Sequence, residues 1–164
     1  MANINEQAAQ SLQTSKVIIA VNTPDGVGYF VDSEGRFLFK KQFEEVSKFT
    51  EGLACVEQNG KWGFINTKGE VVVPCIYDDA ENFSEGLASV EQNDKWGFIN
   101  TQGEVVIPCI YDNAVSFSEG LACVEQNDKW GFINTKGEVI APCIYDDAEN
   151  LFEGHARVKQ TGKY

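Results

Sequence analysis

The chain has 164 residues, 43% of them hydrophobic and 23% charged, which suits one globular domain with a real core and argues against disorder. Its formal net charge of −12 repels phosphate backbones and anionic bilayers, so nucleic acid and membrane are excluded as expected partners, while basic proteins, cations and neutral ligands remain. No apolar run approaches the roughly 20 residues of a membrane helix, the opening MANINEQAAQSLQTSK lacks the basic and apolar regions of a secretory signal, and five cysteines without a C-x-x-C pair suit reduced thiols, so a cytoplasmic location is expected.

Residues 1–16 read as an N-terminal cap or tail. Ile4, Ala8 and Leu12 form one stripe of a short helix over about residues 4–13, with a disordered tail as the alternative. From residue 17 the chain is a repeat. Trp62, Trp96 and Trp130 are 34 residues apart, as are Tyr77, Tyr111 and Tyr145, and Gly52, Gly86, Gly120 and Gly154 extend the period to a fourth copy. A fixed period of this size marks a repeat architecture. A worn first unit spans about 17–60, and units follow at about 61–94, 95–128 and 129–164. In the first unit Gly28 stands at the Trp position and Lys40 at the Pro position. In the last, His155 replaces Leu, and Tyr164 falls at the next Trp position, where the array is either cut or closed.

Within one unit the grammar is β. Leu87–Glu91 is a strand, and Asn93-Asp94 (Asn59-Gly60 one copy earlier) is a two-residue hairpin turn that accepts positive φ. Lys95–Asn100 is the returning strand, Thr101-Gln102-Gly103 the next turn with Gly103 left-handed, and Glu104–Ile107 a third strand whose ladder Pro108 ends. The stretch from Tyr111 to Gly120 reads as a structured loop. The fold class is therefore all-β, an array of about four 34-residue antiparallel β-meander repeats, open and twisted. The alternative is a small closed β-propeller, with a strand near Val17–Val21 completing the ring.

The phrase N-[GD]-K-W-G-F-I-N-T-x-G-E-V, then P-x-x-Y-D-[DN]-A and F-S-E-G-L-A-x-V, resembles the WG (KWG) β-repeat family over roughly residues 17–164, although the first unit lacks both Trp and Pro. The resemblance implies a bacterial protein from a family of arrays that mediate interactions and carry no general enzymatic activity. A shared fold is a weak warrant for any particular function.

Four residue sets are candidates for function. The tryptophans read first as contacts between neighbouring units and second as one aromatic platform per repeat, for a sugar, a cationic group or a partner side chain. The acids after Tyr are Glu44-Glu45, Asp78-Asp79, Asp112-Asn113 and Asp146-Asp147. They either fix the loop through backbone N–H groups, attract a basic partner, or bind Ca²⁺, although the spacing matches no EF-hand or β-roll calcium loop. Cys75, Cys109 and Cys143 share one phase of the repeat and Cys55 and Cys123 another. Single ligands per unit fit zinc poorly, so these read as small buried hydrophobes. The one histidine, His155, has no catalytic motif around it, and near-identical units do not converge differentiated groups on one point.

The sequence thus leads to a non-enzymatic scaffold without cofactor or metal. It is expected to bind a protein or peptide, basic in character, through an acidic surface of Glu44, Glu45, Asp78, Asp79, Asp112, Asp146 and Asp147. Trp62, Trp96, Trp130, the three tyrosines and the four glycines above are its structural signature. A lectin-like or small-ligand module and a metal-binding array are the alternatives, and self-association through sheet edges is a further expectation.

Overall fold

The computed structural model describes residues 17–162; the expected helical cap and Tyr164 lie outside the described residues. The described residues form five small antiparallel sheets in sequence order. The first holds β1 (Ile18–Asn22) and β2 (Gly28–Asp32). The second holds β3 (Glu45–Val46), β4 (Leu53–Gln58), β5 (Lys61–Asn66) and β6 (Val71–Tyr77). The third holds β7 (Asp79–Ala80), β8 (Leu87–Gln92), β9 (Lys95–Asn100) and β10 (Val105–Tyr111). The fourth holds β11 (Asn113–Ala114), β12 (Leu121–Gln126), β13 (Lys129–Asn134) and β14 (Val139–Tyr145), and the last holds β15 (Asp147–Ala148) and β16 (Val158–Lys159). The fold is all-β and the array is open: among the described residues no strand of the first sheet pairs with the last.

The sheets stack face to face, and the three four-stranded sheets bury both faces of their central strands. In the third sheet Ala88, Val90 and Ile99 pack against Leu53, Phe64 and Val73 of the second. Its other face, with Leu87, Phe98 and Ile107, packs against Ala122, Val124 and Ile133 of the fourth. Double burial explains why L-A-x-V is an unbroken apolar run rather than an alternating one. Phenylalanine joins the units. Phe30 meets Phe49, Phe64 meets Phe83 and Phe98 meets Phe117, with ring centroids 4.9, 4.8 and 4.8 Å apart. The first pair is tilted and the other two are edge-on, and such aromatic pairs add about 0.5–1.5 kcal/mol beyond the area they bury. Trp62 and Trp96 pack at the margins of the same clusters, half-buried.

Two sequence expectations change. Each complete unit has four strands rather than three, because the loop after Tyr contributes a short edge strand: Asp79 pairs with Glu91 and Ala80 with Val90. The same loop then turns through Glu85 and Gly86, at φ of 55° and 80°, a two-residue hairpin turn with both residues left-handed. The third strand does not stop at proline. Pairing breaks after Ile107↔Phe98 and resumes at Tyr111↔Trp96, so Pro108 sits inside a bulge. That bulge lies directly over the glycine of the W-G pair. A Cβ on Gly97 would come within 2.5 Å of the Ile107 carbonyl oxygen and 2.7 Å of the Cys109 nitrogen.

The other turns follow the sequence. Asn93 and Asp94 take φ of 55° and 59°, and Gly103 takes 81°. Asn100 organises the N-T-x-G-E turn: its Oδ1 accepts from the Gln102 and Glu104 backbones at 3.1 and 2.9 Å, and its Nδ2 donates to Glu104 Oε2 at 2.7 Å. In the worn first unit Asp32 takes this place, accepting from the Glu34 and Arg36 backbones and pairing with the Arg36 guanidinium at 2.8 Å. The donor and acceptor are exchanged and the turn is kept.

Candidate functional site

The sheet boundaries fall at Asp78, Asp112 and Asp146, each the single residue between the long last strand of one sheet and the short first strand of the next. The first acid of each pair is therefore a joint. Asp78 Oδ1 pairs with the Lys61 ammonium of the second sheet, while Oδ2 accepts the Asn93 backbone N–H from the third-sheet hairpin at 2.8 Å. Asp112 repeats this with Lys95 and Asn127, and Asp146 with Lys129 and Thr161. Glu44, which has no lysine to meet, caps the turn with both oxygens, accepting from Asn59 and Gly60 at 2.9 Å each. The lysine hydrogen bond, followed by the turn amide, holds the Asp78 and Asp112 carboxyls below the usual aspartate range, and Asp146 responds in the same direction.

The second acid of each pair is differently employed. Asp79 Oδ1 accepts only the adjacent Ala80 N–H, at 2.8 Å, and Asn113 does the same for Ala114 at 2.9 Å. That bond needs an oxygen and no charge, which is why asparagine serves in one copy. Among the described residues neither Glu45 nor Asp79 has a lysine or arginine within ion-pair distance.

Strand pairing places these acids in transverse rows. Across the second sheet run Glu45, Glu57, Trp62 and Tyr77; across the third run Asp79, Glu91, Trp96 and Tyr111. Glu45 thus faces Glu57, and Asp79 faces Glu91, directly across a strand pair, where like charges repel. Burial, then Glu44, Glu45 and Asp79, push the Glu57 carboxyl up; burial, then Asp79, Asp94 and Asp78, push Glu91 up.

At the seam of the second and third sheets this row borders a groove of about 270 Å³, walled by Glu45, Cys55, Trp62, Asp79, Glu81 and Asn82. Among the described residues no indole N–H finds a protein acceptor, so the Trp62 donor is free for solvent or ligand. The Asn82 Oδ1 atom is buried without a partner. Cys55 is not a nucleophile: burial, reinforced by Glu81, pushes its thiol up to about 12, and its Sγ leans on the Ala80 carbonyl at 3.7 Å. All five cysteines are free, and Cys75, Cys109 and Cys143 set their Sγ 3.6, 3.7 and 3.7 Å from valine carbonyls of the same sheet. Among the described residues no three His, Cys, Asp or Glu side chains converge as a metal site would require.

A larger cleft of about 470 Å³ lies at the opposite edge of the array, walled by Ile110, Val139, Ala141 and Pro142. Its one charged wall residue, Lys129, is already paired with Asp146. Tyr111, Gln126 and Asn127 add neutral polar groups to its wall, but no carboxylate lines it, so a cationic ligand is better met at the smaller groove. In the three four-stranded sheets one edge is a two-residue strand and the other is broken by the proline bulge, whereas the first sheet ends in the unbroken five-residue strand Ile18–Asn22.

Sequence reading singled out Glu45 and Asp79 but not Glu57, Glu81 or the lysine partners of the first acids. The signal for Glu57 was available: once Asn59-Gly60 is a two-residue turn, register sets Gln58 opposite Lys61 and Glu57 opposite Trp62.

Small meander sheets, each complete only when its neighbours cover both faces, define a stacked β-repeat protein. The family model for the WG containing repeat matches residues 30–62, 62–96, 96–130 and 130–164. The chain belongs to this family. Comparison with curated proteins returned no match. Among the described residues no helix is long and apolar enough to cross a membrane.

Proposed function

We propose that this chain is a non-enzymatic binding module whose ligand is a protein or peptide carrying basic side chains. The observation that supports this reading is the run of facing acids, Glu45 against Glu57 and Asp79 against Glu91, none of which pairs with a lysine or arginine among the described residues. A protein tolerates such repulsion at a cost in stability, and a cationic partner relieves it. Asp78, Asp112 and Asp146 act as joints in this reading, and Glu45, Glu57, Asp79, Glu81 and Glu91 form the contact surface. Capture of basic proteins from the organism's soluble extract at low salt, followed by elution with salt, tests it. Retention that is unchanged when Glu45, Asp79 and Glu91 are neutralised together would sink the reading.

A second reading, one small-ligand site per tryptophan, is favoured by the unpaired indole N–H groups. It requires the three tryptophans to behave alike, and titration with neutral oligosaccharides, followed by tryptophan fluorescence, separates it from the first.

A further inference from the structure

The acids at the seams are not the same in every copy, and the differences follow the order of the seams. At the seam of the second and third sheets, Glu45 and Glu57 come from one side and Asp79 and Glu81 from the other. One seam later, Asn113 and Val115 stand where Asp79 and Glu81 stood, so one side of the groove is neutral. In the last sheet the acids return as Asp147 and Glu149, but now with cations of the chain beside them. Arg157, at the Cys55 position, reaches Glu149 at 3.5 Å, and Lys159, at the Glu57 position, pairs across the strands with Asp147. The last unit therefore supplies from within the chain the charges that the Trp62 groove lacks.

We propose that the groove at Trp62 is a receptor for one arginine side chain of the partner. This rests on the binding-module reading above and narrows it to one seam. The indole offers a face to a planar cation. Glu45, Asp79 and Glu81 surround the same space from two sheets and accept the guanidinium fork, and the orphaned Asn82 Oδ1 takes a further N–H. A guanidinium is favoured over an ammonium because it stacks and donates in two directions at once, and it sheds water more readily. A metal ion is disfavoured because the acids line the groove without converging. The groove volume of about 270 Å³ suits a side chain rather than a folded element.

The test is calorimetric titration of the full chain with acetylated tetra-arginine amide at low salt. One peptide is expected per chain. The Glu45→Gln/Asp79→Asn/Glu81→Gln triple variant is expected to bind about tenfold more weakly. An Asp94→Asn/Asp128→Asn/Glu138→Gln triple, which removes the same charge elsewhere, is expected to stay within about twofold of the parent. Trp62→Leu is expected to weaken binding, and Trp96→Leu and Trp130→Leu to leave it unchanged. Tetra-lysine is expected to bind more weakly than tetra-arginine. Should the groove triple fail to fold, Asp79→Asn alone carries the test, because Asn113 shows that asparagine is accepted there. Equal losses in the two triples would overturn the groove while leaving the acidic-surface reading standing. Three peptides per chain would overturn it in favour of one site per repeat. No binding by the parent chain would overturn both.

Discussion

Asp78 holds the Lys61 ammonium with one carboxylate oxygen and the Asn93 backbone N–H with the other, tying the aromatic strand of one sheet to the hairpin of the next. Asp78→Ala removes both contacts, whereas Asp78→Asn removes the charge and leaves one acceptor oxygen for two donors, so melting temperature at neutral pH is expected to fall in the order parent, Asn, Ala. The carboxyl is held below its ordinary value of about 3.8. Its stabilising contribution is therefore complete above that value and lost as pH falls through the lower, folded value. Melts across this range check the sign: the gap between parent and Asp78→Asn closes in acid. Asp79→Asn, by contrast, keeps its oxygen for the Ala80 amide and relieves the repulsion with Glu91, so it is expected to stabilise the chain slightly at neutral pH.

Glu57 titrates the other way. Its carboxyl is raised above the ordinary 4.5, so its favourable contribution exists below that value and is lost as pH rises through the folded one. Glu57→Gln is therefore expected to stabilise the chain at neutral pH by about 0.2–1 kcal/mol, with the advantage vanishing in acid. The same variant is expected to bind tetra-arginine less tightly. Urea titration paired with calorimetry reads both effects, and a variant that is more stable and binds equally well would separate Glu57 from the site.

Gly97 lies beneath the bulge of its partner strand, where the atoms an added Cβ would meet are all backbone. Gly97→Ala is expected to cost toward the upper end of the about 1–3 kcal/mol typical of overpacking. Denaturant unfolding measures this. The expected structural signature is a shift of the Pro108 bulge, visible as changed amide resonances from Ile107 to Ile110.

Ser89 is fully buried, its hydroxyl has no partner, and it stands where Cys55 and Cys123 stand in neighbouring copies. Ser89→Cys is expected to stabilise the chain by about 1 kcal/mol, because a buried, unsatisfied hydroxyl is replaced by a soft group that fits the same pocket. Ser89→Ala is expected to fall between the two. A serine that outperforms both would mean that its hydroxyl is satisfied in solution.

The period and the turn chemistry of the sequence were enough to foresee stacked antiparallel units. Asn93-Asp94 and Gly103 sit where their backbone preferences put them. The short strand at Asp79–Ala80 was not legible, since two residues carry no period and pair only because Glu91 and Val90 already stand opposite. The proline was misleading: it does prevent a ladder bond, but the strand bows over Gly97 and recovers at Tyr111. Of the acids, the sequence marked the right loop yet gave both members of each pair one role. Only the coordinates separate a carboxylate spent on Lys61 and Asn93 from one bound to nothing but its neighbour's amide.

Several contacts between units reach one period along the chain. Glu51, Glu85 and Glu119 each accept the N–H of the glycine 35 residues later, and Ser84 and Ser118 each donate to a carbonyl 33 residues later. The middle copies carry both the plug and the socket, so a gene duplication that inserts a further 34-residue segment of their kind delivers a unit that already fits at both ends. Copy number is then free to drift without redesign of the seams, while the acid-lined groove at Trp62, confined to one of them, travels unaltered through each change of length.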